Sequence, residues 1–439
     1  MKIYIETLGC PKNNSDSEVA AGILENAGHM IVNNPEDADG IMVNTCGFIN
    51  DAKIESISRI FDLAPYKKEG GFLMVTGCLS QRYGEELYKE MPEVDIFLGV
   101  NDYGSLPDIL DQYEEGKREK YLSQYEKGYL ETGFRKNLSS SSYSATLKIS
   151  EGCDNVCAYC VIPSIRGPFR SRKMEDLIKE AEALAESGCK ELILIAQDVT
   201  AYGIDLYGEL KLADLLRKLC RIEPIKWIRL MYCYEDRITD ELIKVMATEE
   251  KICHYIDIPI QHASDKILSA MNRRSTKASI TDTLSRLRTA IPDIHIRTTL
   301  ITGFPGEGKK EFLELLEFVE TMKFERLGVF AYSKEENTPA ATMKGQVRED
   351  TKEKRRELLM TKQIEISLES NESKIGKTLE VLVEEQEEDG SYVGRSRYDA
   401  PEIDNAVLFT SHKKLNPGDI VSVKITDAFD YDLVGELEG

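Results

Sequence analysis

The sequence predicts an α/β protein in three parts: an N-terminal parallel α/β domain, a central partial (β/α)6 barrel, and a small OB-like β-barrel of five strands at the C-terminus. Two series of alternating strand and helix patterns indicate the two parallel sheets. The C-terminal residues instead show five short strand patterns with turn residues between them, which is typical of a small barrel. We therefore expect domains at residues 1–115, 143–372 and 373–439, with a linker at 116–142 between the first two.

Apolar runs in the first domain predict short buried strands, separated by segments with the helical spacing of apolar residues. The strands are predicted at Lys2–Leu8, Gly40–Thr45, Phe72–Thr76 and Val94–Val100. The helices between them are predicted at Ser15–Ala27 and Asp51–Lys67. The pattern then disappears in a polar stretch that includes the serine run Ser139–Ser142, which indicates the linker.

The second series begins at Tyr143 and contains six strand patterns, which predicts an open barrel related to an incomplete eightfold barrel. The strands are predicted at Ala145–Ser150, Glu191–Ala196, Trp227–Tyr232, Tyr255–Ile260, His295–Ile301 and Leu327–Tyr332. Helical patterns include Met174–Ser187, Leu212–Arg221, Lys309–Met322 and a long charged helix at Arg348–Lys374. The C-terminal strands are predicted at Leu379–Val383, Tyr392–Arg397, Ala406–Thr410, Ile420–Thr426 and Asp432–Glu438.

The composition, with 41% hydrophobic and 30% charged residues, is that of a soluble globular protein. No apolar run approaches the roughly 20 residues that span a bilayer, and the N-terminus lacks the long apolar stretch of a secretory signal. We therefore expect a cytoplasmic protein without a membrane partner. The net charge of −21 disfavours binding to nucleic acid through phosphates, and it favours a basic protein or a small molecule as the partner.

The cysteines carry the strongest chemical signal. In a reducing compartment, clustered cysteines indicate metal or redox chemistry more often than disulfides. Cys153, Cys157 and Cys160 form a CxxxCxxC motif in a loop after the first strand of the second series. Three thiolates this close can bind three irons of a cubane cluster and leave the fourth iron open to a substrate or cofactor. A zinc site and a thioredoxin-like redox site are the alternatives, although zinc lacks a fourth ligand nearby.

Three further cysteines share one context in the first domain. Cys10, Cys46 and Cys78 each closely follow a predicted strand. Because parallel strands end on the same edge of a sheet, these thiols can meet there. We expect a shared site, with separately buried cysteines as the alternative. The other cysteines are expected to be packing residues: Cys189, Cys220, Cys233 and Cys253.

The CxxxCxxC motif on a six-unit barrel resembles the radical S-adenosylmethionine (SAM) superfamily. Ile258–Ser264 and Thr302–Glu307 resemble the superfamily's fourth-strand edge and fifth-strand turn, and Arg297 stands at the start of that fifth strand. With the second cysteine triad and the barrel tail included, the whole chain is similar to the methylthiotransferase family. That family combines a cluster domain, a radical SAM core and a TRAM domain.

The resemblance implies two 4Fe–4S clusters and SAM as cofactors. The CxxxCxxC triad would be catalytic and would hold the radical cluster, whose open iron binds SAM. Cys10, Cys46 and Cys78 would hold an auxiliary cluster. Gln197 stands where the superfamily often has a Gly-Gly-Glu sequence, and it matches the methylthiotransferase branch. Cofactor contacts are expected from Tyr159, Gln197, Gln261, Ser264, Arg297 and Gly303.

Within the family, some members modify an adenosine of tRNA, and others modify the β-carbon of an aspartate in ribosomal protein S-twelve. Ile162–Arg172, Asp257–Ser264 and Gly394–Asp404 resemble the protein-modifying branch. The tail from Gly376 to Gly439 holds 15 Asp and Glu against 6 Lys and Arg, and this net charge of −9 repels phosphates and attracts a basic protein.

We therefore expect methylthiolation of small-subunit ribosomal protein S-twelve. A tRNA adenosine methylthiotransferase and a non-catalytic iron–sulfur protein are the alternatives, and no direct tRNA substrate is expected. The resemblance also implies a low-potential electron donor of the flavodoxin or ferredoxin type, and it assigns no sulfur source.

Overall fold

The computed structural model describes residues 1–124, 135, 136, 138 and 142–438. The first domain contains six strands, which are β1 (Lys2–Thr7), β2 (Met30–Val32), β3 (Gly40–Thr45), β4 (Phe72–Gly77), β5 (Ile96–Leu98) and β6 (Glu119–Tyr121). They form one parallel sheet in the order β2-β1-β3-β4-β5-β6. Its helices are α1 (Pro11–Asn26), α2 (Asn50–Leu63), α3 (Cys78–Glu90) and α4 (Leu106–Asp111). Every residue of β3 and β4 is buried, as expected for a parallel sheet covered on both faces.

The sequence patterns do not predict the two edge strands β2 and β6. Each has only three residues, which is too short to show apolar periodicity. Because β6 lies inside 116–142 and pairs with β5, the linker prediction is wrong for Glu119–Tyr121. Residues 125–134, 137 and 139–141 of the expected linker, including most of the serine run, lie outside the described residues.

The central part contains β7 (Ser144–Lys148), β8 (Ser150–Glu151), β9 (Arg170–Ser171), β10 (Glu191–Ile195), β11 (Trp227–Leu230), β12 (Ile252–Asp257), β13 (His295–Thr302) and β14 (Arg326–Ala331). Six of these strands form a parallel sheet in the order β14-β13-β12-β11-β10-β7. β8 and β9 form a separate antiparallel pair. This arrangement confirms the predicted partial (β/α)6 barrel.

Ten helices accompany these strands in the described part of the chain. They are α5 (Ile162–Arg166), α6 (Met174–Glu186), α7 (Ile204–Tyr207), α8 (Leu212–Leu219), α9 (Asp240–Thr248), α10 (Asp265–Ala270), α11 (Lys277–Ala290), α12 (Lys309–Met322), α13 (Pro339–Thr342) and α14 (Glu349–Glu372). The apolar faces of the longer ones pack on the sheet in a single core. Within the described part of the chain, none of the helices combines the length and the apolar composition that a membrane span requires.

The C-terminal strands are β15 (Thr378–Gln386), β16 (Tyr392–Ser396), β17 (Val407–Thr410), β18 (Ile420–Ala428) and β19 (Leu433–Leu437). They close into the predicted five-stranded barrel in the order β15-β16-β17-β19-β18. Buried charges join this barrel to the central sheet. Arg395 Nη2 lies 2.7 Å from Glu191 Oε2, and Arg326 Nε lies 2.8 Å from Asp399 Oδ1. Leu382 of the barrel also packs into a cluster with residues of β10, β11 and β12.

Candidate active site

The loops that carry the first cysteine triad pack so closely that glycine is required at two positions. Gly9 has a φ of +96°, and a Cβ there would lie 2.7 Å from Cβ and 3.1 Å from Sγ of Cys46. Gly77 has a φ of +92°, and a Cβ there would lie 2.4 Å from the carbonyl oxygen of Thr45. Each glycine directly precedes a cysteine of the triad. The freedom of glycine therefore lets the ends of β1, β3 and β4 converge, as the sequence predicts.

Asn13 ties these strand ends together, and sequence reasoning missed it. Its amide donates hydrogen bonds to the carbonyl oxygens of Leu8, at 2.8 Å, and Thr45, at 3.1 Å. Its Oδ1 lies 3.8 Å from Sγ of Cys78. A buried amide must find such partners within the fold. The available signal was a polar residue in the first turn of α1, directly after the cysteine loop.

Arg166 links the first triad to the loop of the second, and it was also missed. Its Nη2 donates to Asn13 Oδ1 at 2.8 Å and lies 3.3 Å from Sγ of Cys78. Its Nη1 contacts Asp16 at 2.8 Å and Glu151 at 3.1 Å. The side chain is only 2% exposed, so these charges interact with little screening. A buried guanidinium at a cysteine sulfur stabilises negative charge there, which suits an anionic cluster.

The second triad lies in the loop between β8 and α5. Gly152 has a φ of +75°, and a Cβ there would lie 2.1 Å from the carbonyl oxygen of Pro168. The N–H of Cys153 donates to the carbonyl oxygen of Gly167 at 3.1 Å. The start of the loop is therefore held against the segment that follows α5.

The remaining two cysteines of this loop have hydrogen-bonding groups close to sulfur. The N–H of Ile162 lies 3.4 Å from Sγ of Cys160, and the hydroxyl of Tyr234 lies 3.7 Å from Sγ of Cys157. The N–H of Cys160 donates to the carbonyl oxygen of Cys157 at 3.1 Å, which curls the loop. Hydrogen bonds to sulfur are a known means of tuning iron–sulfur clusters, so the surroundings suit one.

Burial favours the neutral form of several of these thiols in the absence of a metal. Burial raises the pKa of Cys46 and Cys153 to about 11 and that of Cys160 to about 12. Burial raises the pKa of Cys78 as well, while Arg166 opposes that rise. Thiols of this kind become thiolates when a metal displaces their protons.

No group of three His, Cys, Asp or Glu side chains in the described part of the chain is placed to hold a single metal ion. The ligands of a zinc site converge on one metal ion. Each thiolate of a cubane cluster binds a different iron, so the triads need no such convergence.

Gln197, just beyond β10, offers a buried acceptor. Its Nε2 donates to Oε1 of Glu151 at 2.8 Å, while its own Oε1 is buried without a hydrogen-bond partner among the described residues. Burial would raise the pKa of Glu151, but Arg166 and Lys148 hold it well below its usual range, so the carboxylate stays charged. The free Oε1 can accept a hydrogen bond from an amino group such as that of SAM.

Three other predicted cofactor residues lie at the carboxyl edge of the sheet or in the cysteine loop. The ring of Tyr159 packs edge-on against Phe304, with centroids 6.5 Å apart. The neighbouring Gly303 has a φ of +73°, and its N–H donates to Glu307 at 2.8 Å. Ser264 is buried and directly precedes α10.

Gln261 lies beyond the end of a strand, whereas Arg297 lies within a strand. Gln261 has a φ of +68°, and its N–H donates to the carbonyl oxygen of Thr299 at 2.9 Å beyond the end of β12. Arg297 lies in the first half of β13. Its Nη1 is 3.3 Å from Asp257, and its Nε is 3.3 Å from Asp404 of the C-terminal part. Its guanidinium therefore already contacts two carboxylates.

Comparison with known proteins decides the family. Residues 2–99 match the family described as "Uncharacterized protein family UPF0004", residues 147–319 match the Radical SAM superfamily, and residues 375–437 match the TRAM domain. The ribosomal protein uS12 methylthiotransferase RimO of Clostridioides difficile is 50% identical over 439 residues, covering 100% of this chain and 99% of the relative. The chain belongs to the RimO family. RimO of Acetivibrio thermocellus is 51% identical over 444 residues, with 99% and 98% of the two chains covered.

Solved structures of other proteins resemble the fold of this RimO chain. The radical SAM methyltransferase TsrM from Kitasatospora setae has a TM-score of 0.55 at 13% identity, covering 77% of this chain and 73% of that one. The cobalamin-dependent SAM radical enzyme OxsB has a TM-score of 0.54 at 13% identity, with 82% and 56% covered. At this identity the likeness concerns the fold alone. The three matched domains confirm the predicted methylthiotransferase resemblance and fold class.

Proposed function

We propose that this enzyme methylthiolates the β-carbon of an aspartate in ribosomal protein uS12. The observation that carries the proposal is the pair of cysteine triads linked by Arg166, in a chain half identical to proteins named for uS12. That identity favours the protein substrate over the tRNA alternative. Ribosomal proteins are made and assembled in the cytoplasm, so we place the enzyme there.

Two cysteine triads support two 4Fe–4S clusters. Cys153, Cys157 and Cys160 would hold the radical cluster, and the triad of the first domain, Cys10, Cys46 and Cys78, would hold the auxiliary one. When bound, the reduced radical cluster and SAM supply the radical chemistry that removes hydrogen from an unactivated carbon. The electron would come from a flavodoxin or ferredoxin type of donor.

The chain's own residues would position the cofactor. Gln197 Oε1 can accept from the amino group of SAM, and the guanidinium of Arg297 can pair with its carboxylate. The half-buried ring of Tyr159 follows Cys157 in the loop of the radical triad, packs against Phe304 and helps to exclude water there. Gly303, Ser264 and Gln261 would complete the cofactor pocket at the same sheet edge.

The test is mass spectrometry of uS12 from a strain with and without the gene, followed by the reaction with purified components. We expect one peptide to gain the mass of an SCH3 group in place of one hydrogen on its aspartate. A variant with Cys153→Ala is the control, and it should give unmodified uS12. An unchanged uS12 mass with iron-loaded wild-type enzyme, SAM and reductant would contradict the proposal.

A further inference from the structure

The side chain of Lys12 extends from the first domain to the carboxyl edge of the central sheet. It lies in the first turn of α1, two residues after Cys10, and its Nζ is 3.1 Å from the centroid of the Tyr232 ring. Tyr232 follows β11 at the carboxyl edge of the sheet, and its N–H donates to Asp257 at 3.0 Å. Parallel sheets bind their ligands at this edge.

Lys12 lies close to both cysteine triads. It follows Cys10 of the first triad by two residues, and its ammonium is near enough to Cys160 of the second triad to interact with that thiol. The ring of Tyr232, which Lys12 contacts, stands at the carboxyl edge of the sheet beside them.

Other cations near this junction already have carboxylate partners. Arg166 pairs with Asp16 at 2.8 Å, and Arg273 pairs with Glu235 at 2.9 Å. Lys12 is half-buried, and no carboxylate of the described residues lies within 4.0 Å of its ammonium. An aromatic ring under an ammonium orients the charge without neutralising it. The group is thus held in place and free to bind an anion.

We propose that Lys12 binds the side-chain carboxylate of the substrate aspartate and so makes the enzyme select aspartate over asparagine. This inference rests on the proposed function and names the residue that recognises its substrate. A lysine ammonium bonds an aspartate carboxylate as a charge pair, but the amide of asparagine carries no charge to complete it. Holding the carboxylate at Lys12 would leave the adjacent β-carbon facing the site. A carboxylate at this position could also be that of SAM, and the experiment separates the two.

The experiment uses iron-loaded full-length enzyme and two synthetic uS12 peptides that differ only in having Asp or Asn at the modified position. Wild-type enzyme should prefer the Asp peptide by about 100-fold in kcat/KM. Lys12→Met keeps an unbranched side chain of similar volume and removes the ammonium that lies over Tyr232. It should raise KM for the Asp peptide and reduce the preference to below about tenfold, while Lys12→Arg should restore most of it.

Two further measurements keep the interpretation clear. SAM affinity without peptide and iron content should be the same in Lys12→Met and wild type. A loss of SAM affinity would assign the carboxylate to the cofactor, and a loss of iron would make Lys12 a support for the clusters; either result overturns the proposal, as does a retained Asp preference. If wild-type enzyme carries full iron and modifies neither peptide, the proposed function fails instead. Tyr232→Leu should raise KM for the Asp peptide in the same direction as Lys12→Met.

Discussion

Nη1 of Arg166 lies 2.8 Å from Oδ2 of Asp16, so a guanidinium of the radical core and a carboxylate of the first domain form a buried ion pair. Lys148 also contacts Asp16, and the carboxylate of Glu151 forms ion pairs with both Lys148 and Arg166. The two cysteine triads are thus attached to one charged network. Disturbing this network should affect the fold and the first cluster together.

Arg166→Met should destabilise the enzyme by about 3–5 kcal/mol, because it leaves buried carboxylates with one cation fewer. Chemical unfolding of the anaerobic, iron-loaded protein measures this free energy. Arg286→Ala is the matched control. Arg286 pairs with Asp240 at 2.6 Å on the surface and is 36% exposed, so its loss should cost less than about 1 kcal/mol. An equal decrease in the free energy of unfolding in the two variants would contradict a special role for Arg166.

Changing Cys153, Cys157 and Cys160 together to Ala should leave about four irons per chain after anaerobic reconstitution, because the first triad stays intact. Iron analysis and the absorbance of the clusters measure this. Cys189→Ala is the control, since this buried thiol lies outside both triads and donates to the carbonyl oxygen of Glu191 at 3.0 Å. It should keep the full load. A triple variant with wild-type iron would rule out the assignment.

Arg297→Ala should weaken SAM binding about tenfold or more, if its guanidinium pairs with the cofactor's carboxylate. The variant also removes the contact with Asp404, so stability alone cannot report on the cofactor. Asp404→Asn breaks the same contact and keeps the cation. Equilibrium binding of SAM should therefore fall in Arg297→Ala and stay near wild type in Asp404→Asn. Equal affinities in both variants would assign Arg297 to the structure instead.

Lys374 should make stability depend on pH. It is 5% exposed, and its Nζ donates to neutral oxygens of Ser370 and Asn371, at 3.3 Å. Burial, with help from Arg326, lowers its pKa to about 8. Between pH 8 and the ordinary lysine pKa of about 10.4 the unfolded chain binds the extra proton, so stability rises with pH in that window.

Lys374→Met should abolish that rise and increase the free energy of unfolding at pH 7 by up to roughly 3 kcal/mol. Urea unfolding at a series of pH values measures both effects. Lys413→Met, at an exposed lysine of the barrel, should keep the wild-type slope. A slope that persists in Lys374→Met would show that another group causes it.

The acidic hairpin between β15 and β16 should guide uS12 to the enzyme. Glu385, Glu387 and Glu388 are exposed, whereas Glu384 accepts from Arg395 Nε at 3.0 Å and is left unchanged here. Reversing the three exposed glutamates to Lys should raise KM for whole uS12 several-fold at low salt, and the difference from wild type should shrink as salt is added.

The control for the hairpin carries the same change in net charge elsewhere, at the exposed Glu317, Glu357 and Glu372 of α12 and α14. It should keep the wild-type KM for uS12. If both triple variants behave alike, net charge and not the hairpin is responsible. Faster modification of tRNA by the hairpin variant would contradict the choice of substrate, because added positive charge improves contacts with phosphates.

The sequence predicts the strands of the parallel sheets, except the short edge strands β2 and β6, and the convergence of three cysteines, because both follow from local patterns. Apolar runs mark β3 and β4, and the end of each strand carries a cysteine. The supporting residues are not predictable in this way. Arg166 and Asp16 are 150 positions apart, and Arg297 and Asp404 are 107 apart. No periodicity relates such pairs, and their partners emerge only when the domains pack.

The charges that join the C-terminal barrel to the central sheet have a consequence for protein engineering. Glu191 and Arg326 belong to the sheet, while their partners Arg395 and Asp399 belong to the barrel. A chimera that takes its barrel from an unrelated protein would leave Arg326 without its carboxylate partner in the interior, and Glu191 would keep Arg229 but lose Arg395. Successful exchange of the barrel would therefore require transferring both partners of each ion pair. Substitutions at this interface would have to occur together in the barrel and in the core.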